Sequence, residues 1–164
     1  MKKFIVTGGS GFIGSNLIKF LLKKKYFVIN IDSLKYSANP YNTKNLNKNK
    51  NYTFFKLDLN NKNKITKILK KHKPDGIFNL AAETHVDRSI DAPYNFIHSN
   101  ILGTYNLLES ILNCKKKIKL VHISTDEVYG DVIRGRSDEK YPYNPSSPYS
   151  ASKASADHLV KAYI

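Results

Sequence analysis

Short apolar runs alternate with amphipathic segments along this chain, and each kind of segment predicts a different element. The apolar runs are rich in Val, Ile and Phe and end at polar or glycine-rich positions, which is typical of buried strands. They predict five strands: Lys3–Thr7, Phe27–Ile31, Tyr52–Leu57, Gly76–Leu80 and Ile118–Ser124.

Apolar residues recur every three to four positions in the segments between these strands, which predicts helices. The predicted helices are Phe12–Lys24, Lys62–Lys71, Tyr94–Leu112 and the segment from Pro148 to the last residue. Residues 33–50 are rich in Asn, Lys, Tyr and Ser, and they predict a loop that can contain a short helix.

This order of elements predicts the fold class. Strands that lack a polar face are buried on both sides, so they belong to a parallel sheet with helices on each face. We therefore expect a doubly wound parallel α/β sheet of the Rossmann type, formed by a single domain over residues 1–164.

Composition narrows the class of protein. Of the 164 residues, 41% are hydrophobic and 24% are charged, which suits one globular core and not a disordered segment. No apolar run is long enough to span a membrane, and the run after Lys3 is too short for a signal peptide. The single Cys114 cannot form an internal disulfide, and no Cys/His cluster predicts a metal site. A cytoplasmic protein is expected.

The net charge of +14 comes mainly from lysine, since only three of the 27 basic residues are arginines. The densest runs, Lys23–Lys25, Lys70–Lys73 and Lys115–Lys119, follow predicted helices, where cations complement the helix dipole. Proteins that bind nucleic acid more often carry arginine on a clustered basic face with aromatic residues between. The lysines therefore indicate solvated helix ends, and no nucleic-acid partner is predicted.

Polar or glycine-rich groups follow all five predicted strands. In such a sheet the carboxyl ends of the strands share one edge, and ligands bind beyond it. The groups are Gly8–Gly14, Asp32, Asp58, Ala81–Ser89 and Ser124–Gly130. One such group would mean little, but five of them predict a ligand site.

The first group has the spacing of a dinucleotide-binding turn, with Gly9, Gly11 and Gly14 or, in a wider form, Gly8, Gly11 and Gly14. The missing side chains allow a pyrophosphate to approach the helix N-terminus, where free N–H groups favour anions. Asp32 ends the second strand. Its carboxylate would accept hydrogen bonds from the adenosine ribose and repel a 2′-phosphate, which favours NAD over NADP.

Two further residues bear on the same site. Lys35 lies close to Asp32 in the sequence and slightly weakens the preference for NAD. Asp58 could hold the adenine amino group, although a plain turn residue at a strand end is the alternative interpretation.

Tyr149 and Lys153 are four residues apart at the start of the last predicted helix, where that spacing places both on one face. Ser147 is suited to cap this helix, and Pro148 fits its first position. A lysine cation beside the phenol would lower the phenol pKa and make a phenolate base available near neutral pH. The same spacing at Tyr52–Lys56 falls on a strand, where it separates the residues by roughly 13 Å.

Asp126 and Glu127 are adjacent carboxylic acids after the fifth strand. Different environments could keep one protonated as an acid and the other ionised as a base. By spacing alone, a surface loop with two carboxylates is an equally good interpretation.

Together these motifs resemble the extended short-chain dehydrogenase/reductase family, and within it the nucleotide-sugar 4,6-dehydratases that act on dTDP-glucose. The Asp–Glu pair in STDEVYG is the most selective feature, because sugar-nucleotide epimerases carry other residues there. The similarity covers the whole chain and is carried by TGGSGFIGSN (Thr7–Asn16), LAAETHVDRSI (Leu80–Ile90), NILGTYNLLE (Asn100–Glu109), HISTDEVYGD (His122–Asp131) and SSPYSASKASADHLV (Ser146–Val160).

The resemblance implies a redox-neutral loss of water from the sugar with tightly held NAD, as in dTDP-rhamnose biosynthesis. It implies that Tyr149, with Lys153 and Thr125, takes the C4 hydroxyl proton. Glu127 would remove the C5 proton, and Asp126 would protonate the departing C6 hydroxyl. The residues implied to contact the substrate are Thr84 and Thr125.

The resemblance also implies a set of NAD-lining residues and a homodimer of the full-length protein, through helices 94–112 and 148–164. The residues expected to line the NAD site are Gly8, Gly11, Phe12, Ile13, Gly14, Asp32, Ser33, Leu34, Lys35, Asp58, Leu59, Leu80, Ala81, Ala82, Glu83, Thr84, Ser99, Tyr149 and Lys153.

Length is the clear departure from this family, whose members continue into a small C-terminal domain that binds nucleotide and sugar. We therefore expect an N-terminal fragment that carries the NAD-binding domain and the catalytic residues without the substrate domain. Three alternatives stay open: a related dehydratase acting on a UDP-sugar, an epimerase or reductase of the same family, and a non-catalytic NAD-binding fragment.

Overall fold

The computed structural model describes residues 1–132 and 134–163, which form two compact units. One unit consists of Met1–Ala81 and Asn106–Ile123, and it contains the sheet. The other contains the rest of the described residues. No helix in the described ranges is both long enough and apolar enough to cross a membrane.

The sheet has five strands in the order β3-β2-β1-β4-β5, and every neighbouring pair is parallel. This arrangement confirms the predicted doubly wound fold. Each strand ends within two residues of its predicted bounds, and β5 is the most shortened because its ladder with β4 stops at His122. The strands are β1 (Lys3–Thr7), β2 (Phe27–Asp32), β3 (Tyr52–Lys56), β4 (Gly76–Asn79) and β5 (Lys119–His122).

Apolar side chains cover both faces of this sheet, as the lack of a polar strand face predicts. On one face Ile5 and Ile29 belong to a buried cluster that also contains Ile65 of the second long helix. On the other face Val6 packs in a cluster with Ile18 of the first helix. Neighbouring residues of β1 thus point to opposite cores, and each buried side chain contributes about 1.5–3 kcal/mol.

The helices agree with the sequence pattern at α1, α2 and the start of α6, and they depart from it between β4 and β5. The predicted helix Tyr94–Leu112 is divided into α4, a π-helical segment and α5, and α3 precedes it unpredicted. The loop 33–50 contains two 3-10 helices, Pro40–Asn42 and Lys44–Lys48. The helices are α1 (Phe12–Lys23), α2 (Lys62–His72), α3 (Val86–Asp91), α4 (Pro93–Phe96), the π segment (Ile97–Leu102), α5 (Gly103–Leu112), the 3-10 helix Asp126–Tyr129 and α6 (Pro148–Ala162).

These departures have physical reasons. α3 has no side-chain cap, and Ser89 is its buried residue, so it lacks the apolar period and the start signal that identify helices in a sequence. The π segment depends on contacts of the buried Asn100 that no local pattern encodes. The last helix ends at Ala162, and its predicted final residue, Ile164, lies outside the described residues.

Candidate active site

The glycine-rich turn after β1 packs too tightly to hold side chains. Gly8 has φ +66°, and a Cβ there would lie 2.8 Å from the backbone nitrogen of Ala81. A Cβ at Gly14 would collide with the carbonyl oxygen of Gly8. The turn therefore brings backbone against backbone at the carboxyl ends of β1 and β4.

This turn leads directly into the N-terminus of α1. Gly11 is the N-cap residue and makes no side-chain hydrogen bond to the first turn, so no residue of the cap covers those N–H groups. The adjacent side chains of Phe12 and Ile13 are 80% and 64% exposed. An open helix N-terminus beside a turn without side chains is a place where an anionic phosphate fits.

Asp32 is fixed at the end of β2, where it is only 7% exposed. Its Oδ2 accepts a hydrogen bond from the backbone N–H of Ser10 at 2.9 Å, and its Oδ1 accepts one from Leu34 at 2.7 Å. Each carboxylate oxygen can accept a further bond. The carboxylate is thus held in one orientation and keeps acceptor capacity for two neighbouring hydroxyls.

Ser10 connects the glycine turn to its surroundings, a role that sequence reasoning missed. Besides donating its N–H to Asp32, it accepts a bond from Asn30 Nδ2 at its hydroxyl and one from the N–H of Asn39 at its carbonyl. Asn30 in turn donates to the hydroxyl of Tyr52 at 2.9 Å. The available signal was Asn30, a polar residue within an otherwise apolar predicted strand, but its partner could not be inferred from the sequence.

Asp58 lies at the end of the next strand along the sheet and pairs with Lys35, whose Nζ is 3.3 Å from Oδ2. Burial opposes its ionisation. The backbone N–H and side chain of Asn60 and the charge of Lys35 outweigh burial and hold the pKa of Asp58 below its ordinary value. Lys35 is therefore engaged at Asp58, and Leu59, also predicted to line the cofactor site, is buried in the core.

The segment after β4 is anchored at its start by Thr7. The Thr7 hydroxyl donates to Asn79 Oδ1 at 2.6 Å and accepts a bond from the N–H of Ala81 at 3.2 Å. The N–H of Leu80 donates to the Thr7 carbonyl. Leu80 and Ala81, both predicted cofactor contacts, therefore lie at the strand edge next to Gly8.

In the second unit, Asn100 of the π segment holds the backbone of Glu83. Its Oδ1 accepts from the N–H of Glu83 at 2.7 Å, and its Nδ2 donates to the Glu83 carbonyl and to Ser152 of α6. The predicted contact Ser99 lies beside Asn100 in the same segment. The hydroxyl of Thr84 is 2.9 Å from His85 Nδ1. A π segment at such a place often marks a functional site.

The predicted acid–base pair begins a short 3-10 helix. Thr125 is its N-cap: the Thr125 hydroxyl accepts from the N–H of Glu127 at 3.3 Å and donates to Asp126 Oδ1 at 3.3 Å. Both carboxylates are exposed. The 3-10 helix packs against α6, so the pair and the predicted Tyr–Lys pair belong to one unit.

α6 begins as the sequence predicts. Ser147 and Ser150 form a capping box, and Pro148 is in the first turn. The ring of Tyr149 meets Phe96 edge-on, with centroids 6.1 Å apart. Lys153 is only 5% exposed. Burial lowers the pKa of its amine, and the charge of Asp157 opposes that effect.

Next to these residues lies an open cleft of about 370 Å³ within the second unit. One wall is formed by the strand end and 3-10 helix, and the other by the loop that precedes α6. The lining residues are Ser124, Thr125, Asp126, Val128, Tyr129, Ser137, Asp138, Glu139 and Tyr143. Within the described ranges no group of three or more His, Cys, Asp or Glu side chains could hold a metal ion.

The arrangement provides two kinds of chemistry. The first unit offers a turn and a helix end that fit an anionic phosphate, and a carboxylate at Asp32 that is held in one orientation. The second offers a phenol and an amine on one helix face, and two adjacent carboxyl groups, of which that of Asp126 lines an open cleft. These are the groups that a redox step coupled to proton transfers requires.

Comparison with known proteins agrees with this geometry. Residues 5–164 match the family model described as GDP-mannose 4,6 dehydratase. The dTDP-glucose 4,6-dehydratase of Haemophilus influenzae is 47% identical, over 99% of this chain and 52% of that protein. The chain spans about half the length of the curated relatives it matches.

Solved structures extend the comparison. The dTDP-glucose 4,6-dehydratase of Streptomyces venezuelae, solved with NAD bound, superposes with a TM-score of 0.92 at 38% identity, over 98% of this chain and 51% of that one. The UDP-Glc/GlcNAc 4-epimerase of Campylobacter jejuni gives the same TM-score at 26% identity, over 99% and 49%. The resemblance to dTDP-glucose 4,6-dehydratases is confirmed, and the chain belongs to the GDP-mannose 4,6 dehydratase family.

Proposed function

We propose that this chain provides the NAD-binding and catalytic part of a dTDP-glucose 4,6-dehydratase, which converts dTDP-glucose to dTDP-4-keto-6-deoxyglucose and water. The observation that carries the proposal is the Asp126–Glu127 pair, of which Asp126 lines an open cleft in the same unit as Tyr149 and Lys153. The fold alone cannot carry it, because an epimerase shares that fold. Because the chain spans about half the length of the relatives it matches, the proposal concerns the corresponding part of such an enzyme.

NAD fits the first unit on three observations. Gly8 and Gly14 let the turn pack backbone against backbone, so the turn presents no side chain at these positions, and the cap of α1 leaves N–H groups open to a pyrophosphate. Asp32 keeps acceptor capacity for the two ribose hydroxyls and would repel a 2′-phosphate. These residues would hold the adenosine and pyrophosphate portions.

Tyr149 is proposed as the base for the C4 hydroxyl. A cation one helical turn away favours the phenolate, so Lys153 lowers the energy needed to release the phenol proton. Thr125 contributes a hydroxyl that can share a hydrogen bond with the sugar. NAD, when bound, would supply the hydride acceptor for C4 and the hydride donor for C6.

The carboxyl pair then carries the elimination. A ketone at C4 acidifies the C5 proton, which Glu127 removes. Asp126 donates a proton to the C6 hydroxyl, and the C6–O bond breaks with loss of water. C5 regains a proton when hydride returns to C6, which gives the 4-keto-6-deoxy sugar. Both side chains are exposed, so a sugar can reach them, and a proton-transfer group of this kind contributes typically 10²–10⁴-fold to the rate.

The proposal also covers the residues that contact the sugar and the oligomeric state of the full-length protein. Thr84 and Thr125 are proposed sugar contacts. A UDP-sugar is the alternative substrate. We also propose a homodimer of the full-length protein through the helices at 94–112 and from Pro148 onward, an association that light scattering measures.

The test is a set of single-turnover experiments on the full-length protein with dTDP-glucose. Glu127→Gln should form reduced cofactor, seen by its near-ultraviolet absorbance, but exchange solvent deuterium into C5 at least about 100-fold more slowly. Asp126→Asn should form reduced cofactor and release water slowly. Tyr149→Phe should form no reduced cofactor, because the proton of the C4 hydroxyl has no acceptor.

Glu139→Gln is the control, because Glu139 lines the cleft together with Asp126 but has no proposed proton transfer. It should keep turnover within a few-fold of the unmodified enzyme. Normal C5 exchange in Glu127→Gln would remove the carboxyl pair from the mechanism. A product with inverted C4 and an intact C6 hydroxyl would identify an epimerase instead.

A further inference from the structure

Asp157 continues the face of α6 that carries the proposed catalytic pair. Tyr149, Lys153 and Asp157 follow one another at intervals of four residues within this helix, a spacing that places them on one side. The Lys153 side chain is 5% exposed. An ammonium buried to this degree loses its proton easily unless a negative charge compensates for the lost water.

The carboxylate of Asp157 is held by neutral donors. The hydroxyl of Ser124, at the start of the segment after β5, donates to its Oδ2, and the hydroxyl of Tyr143 donates to the same oxygen at 3.1 Å. Burial and the charge of Asp157 together raise the pKa of Tyr143 to about 12, so its proton stays in this bond across the physiological range. Neutral donors fix the carboxylate and leave its charge to act on Lys153.

Other charged groups are also near α6. The charge of Asp157 acts on Lys153, where it opposes the effect of burial on the amine's pKa. The titratable groups on the elements packed against α6 and on α6 itself are Asp87, Arg88, Asp91, Tyr94, His98, Asp126, Glu127, Tyr129, His158 and Lys161.

We propose that Asp157 is a positioning residue that keeps Lys153 protonated and in place one helical turn from Tyr149. Its consequence for catalysis rests on the proposed function, since only a phenolate base at Tyr149 makes the charge of Lys153 useful. Ser124 and Tyr143 contribute to this positioning, because their hydroxyls hold the carboxylate of Asp157 in place.

The test is a titration of Lys153 by NMR, in the chain labelled with ¹³C at the lysine ε carbon and assigned with Lys153→Met. In Asp157→Asn the amide keeps the size and an acceptor oxygen but removes the charge. We expect the pKa of Lys153 to fall by about 1 unit. Asp87→Asn removes a charge of the same size from α3 and should leave the pKa of Lys153 unchanged. Asp157→Glu keeps the negative charge, so its Lys153 should titrate close to the unmodified chain.

Identical Lys153 titrations in the unmodified chain and Asp157→Asn would overturn the proposal, as would an equal shift in Asp87→Asn. If Asp157→Asn loses its helical circular dichroism, Asp157→Ser provides the same comparison with a smaller side chain. In the full-length Asp157→Asn enzyme, the pH at which kcat falls on the alkaline side should decrease by the same number of pH units as the pKa of Lys153. An enzyme inactive on dTDP-glucose would refute the proposed function, whereas the titration in the chain does not depend on turnover.

Discussion

His72 is a residue whose surroundings oppose its protonation. It ends α2, and its ring stacks on Phe27 with centroids 6.5 Å apart and meets Phe55 edge-on at 5.9 Å. Its Nε2 is buried without a hydrogen-bond partner. Burial, and after it the charges of Lys71 and Lys3, lower its pKa below the ordinary value.

This setting predicts a loss of stability in mild acid. The unfolded chain takes up the proton near pH 6.5 and the folded chain only at lower pH, so the free energy of unfolding falls as the pH drops below about 6.5. His72→Phe should keep the aromatic contacts and remove this part of the slope. Urea unfolding at several pH values between about 7 and 5 measures it, and equal slopes in both proteins would contradict the prediction.

The residues that sequence could identify are those whose role follows from local position. The cap Ser147 and the helix start at Pro148 are confirmed because capping depends on neighbours in the chain. Ser10 and Asn100 were missed because their partners are distant in sequence and include backbone groups. The predicted catalytic roles stay predictions, since they depend on a substrate.

At the scale of the elements, the π segment fixes the backbone at Glu83. One extra residue per turn lets Asn100 face inward, where it is 2% exposed and binds both the N–H and the carbonyl of Glu83. A regular helix over Tyr94–Leu112 would turn that side chain elsewhere. Periodicity therefore located the helix correctly and could not locate its irregularity.

Asn100→Ala should consequently destabilise the second unit. It leaves the buried N–H of Glu83 without its acceptor, which costs about 1–3 kcal/mol in the free energy of unfolding. Asn95→Ala, at an exposed position of α4, is the control and should change stability by less than about 0.5 kcal/mol. Urea unfolding followed by circular dichroism measures both, and equal effects would show that Asn100 has no special role.

Charge is distributed very unevenly over the whole molecule. The sheet-containing unit carries 21 lysines against four carboxylates, a net +17, whereas the other unit has a net −3. Many of these lysines follow helices and precede strands, as the sequence predicted. Asp75 lies among them, where Lys116 Nζ is 2.6 Å from Oδ1 and holds the pKa of Asp75 below its ordinary value.

Such like charges repel one another in the folded state, so salt should stabilise this protein. Raising the ionic strength from about 0.01 M to about 0.3 M shortens the Debye length from about 30 Å to well under 10 Å and should raise the Tm by several degrees. The double variant Lys70→Gln with Lys117→Gln should respond less. A Tm that does not change with salt in a thermal scan would contradict this expectation.

The order of the strands also sets the order in which the sheet can be assembled. β1 lies at its centre, yet it is the first strand to leave the ribosome. Lys3 finds its partner Phe27 early, whereas Phe4 must wait for Gly76. Until then one side of β1 presents unpaired N–H and C=O groups between apolar side chains, a template for joining another nascent chain. Synthesis of the segment up to β4 is therefore the interval in which the nascent chain is most exposed to pairing with another chain.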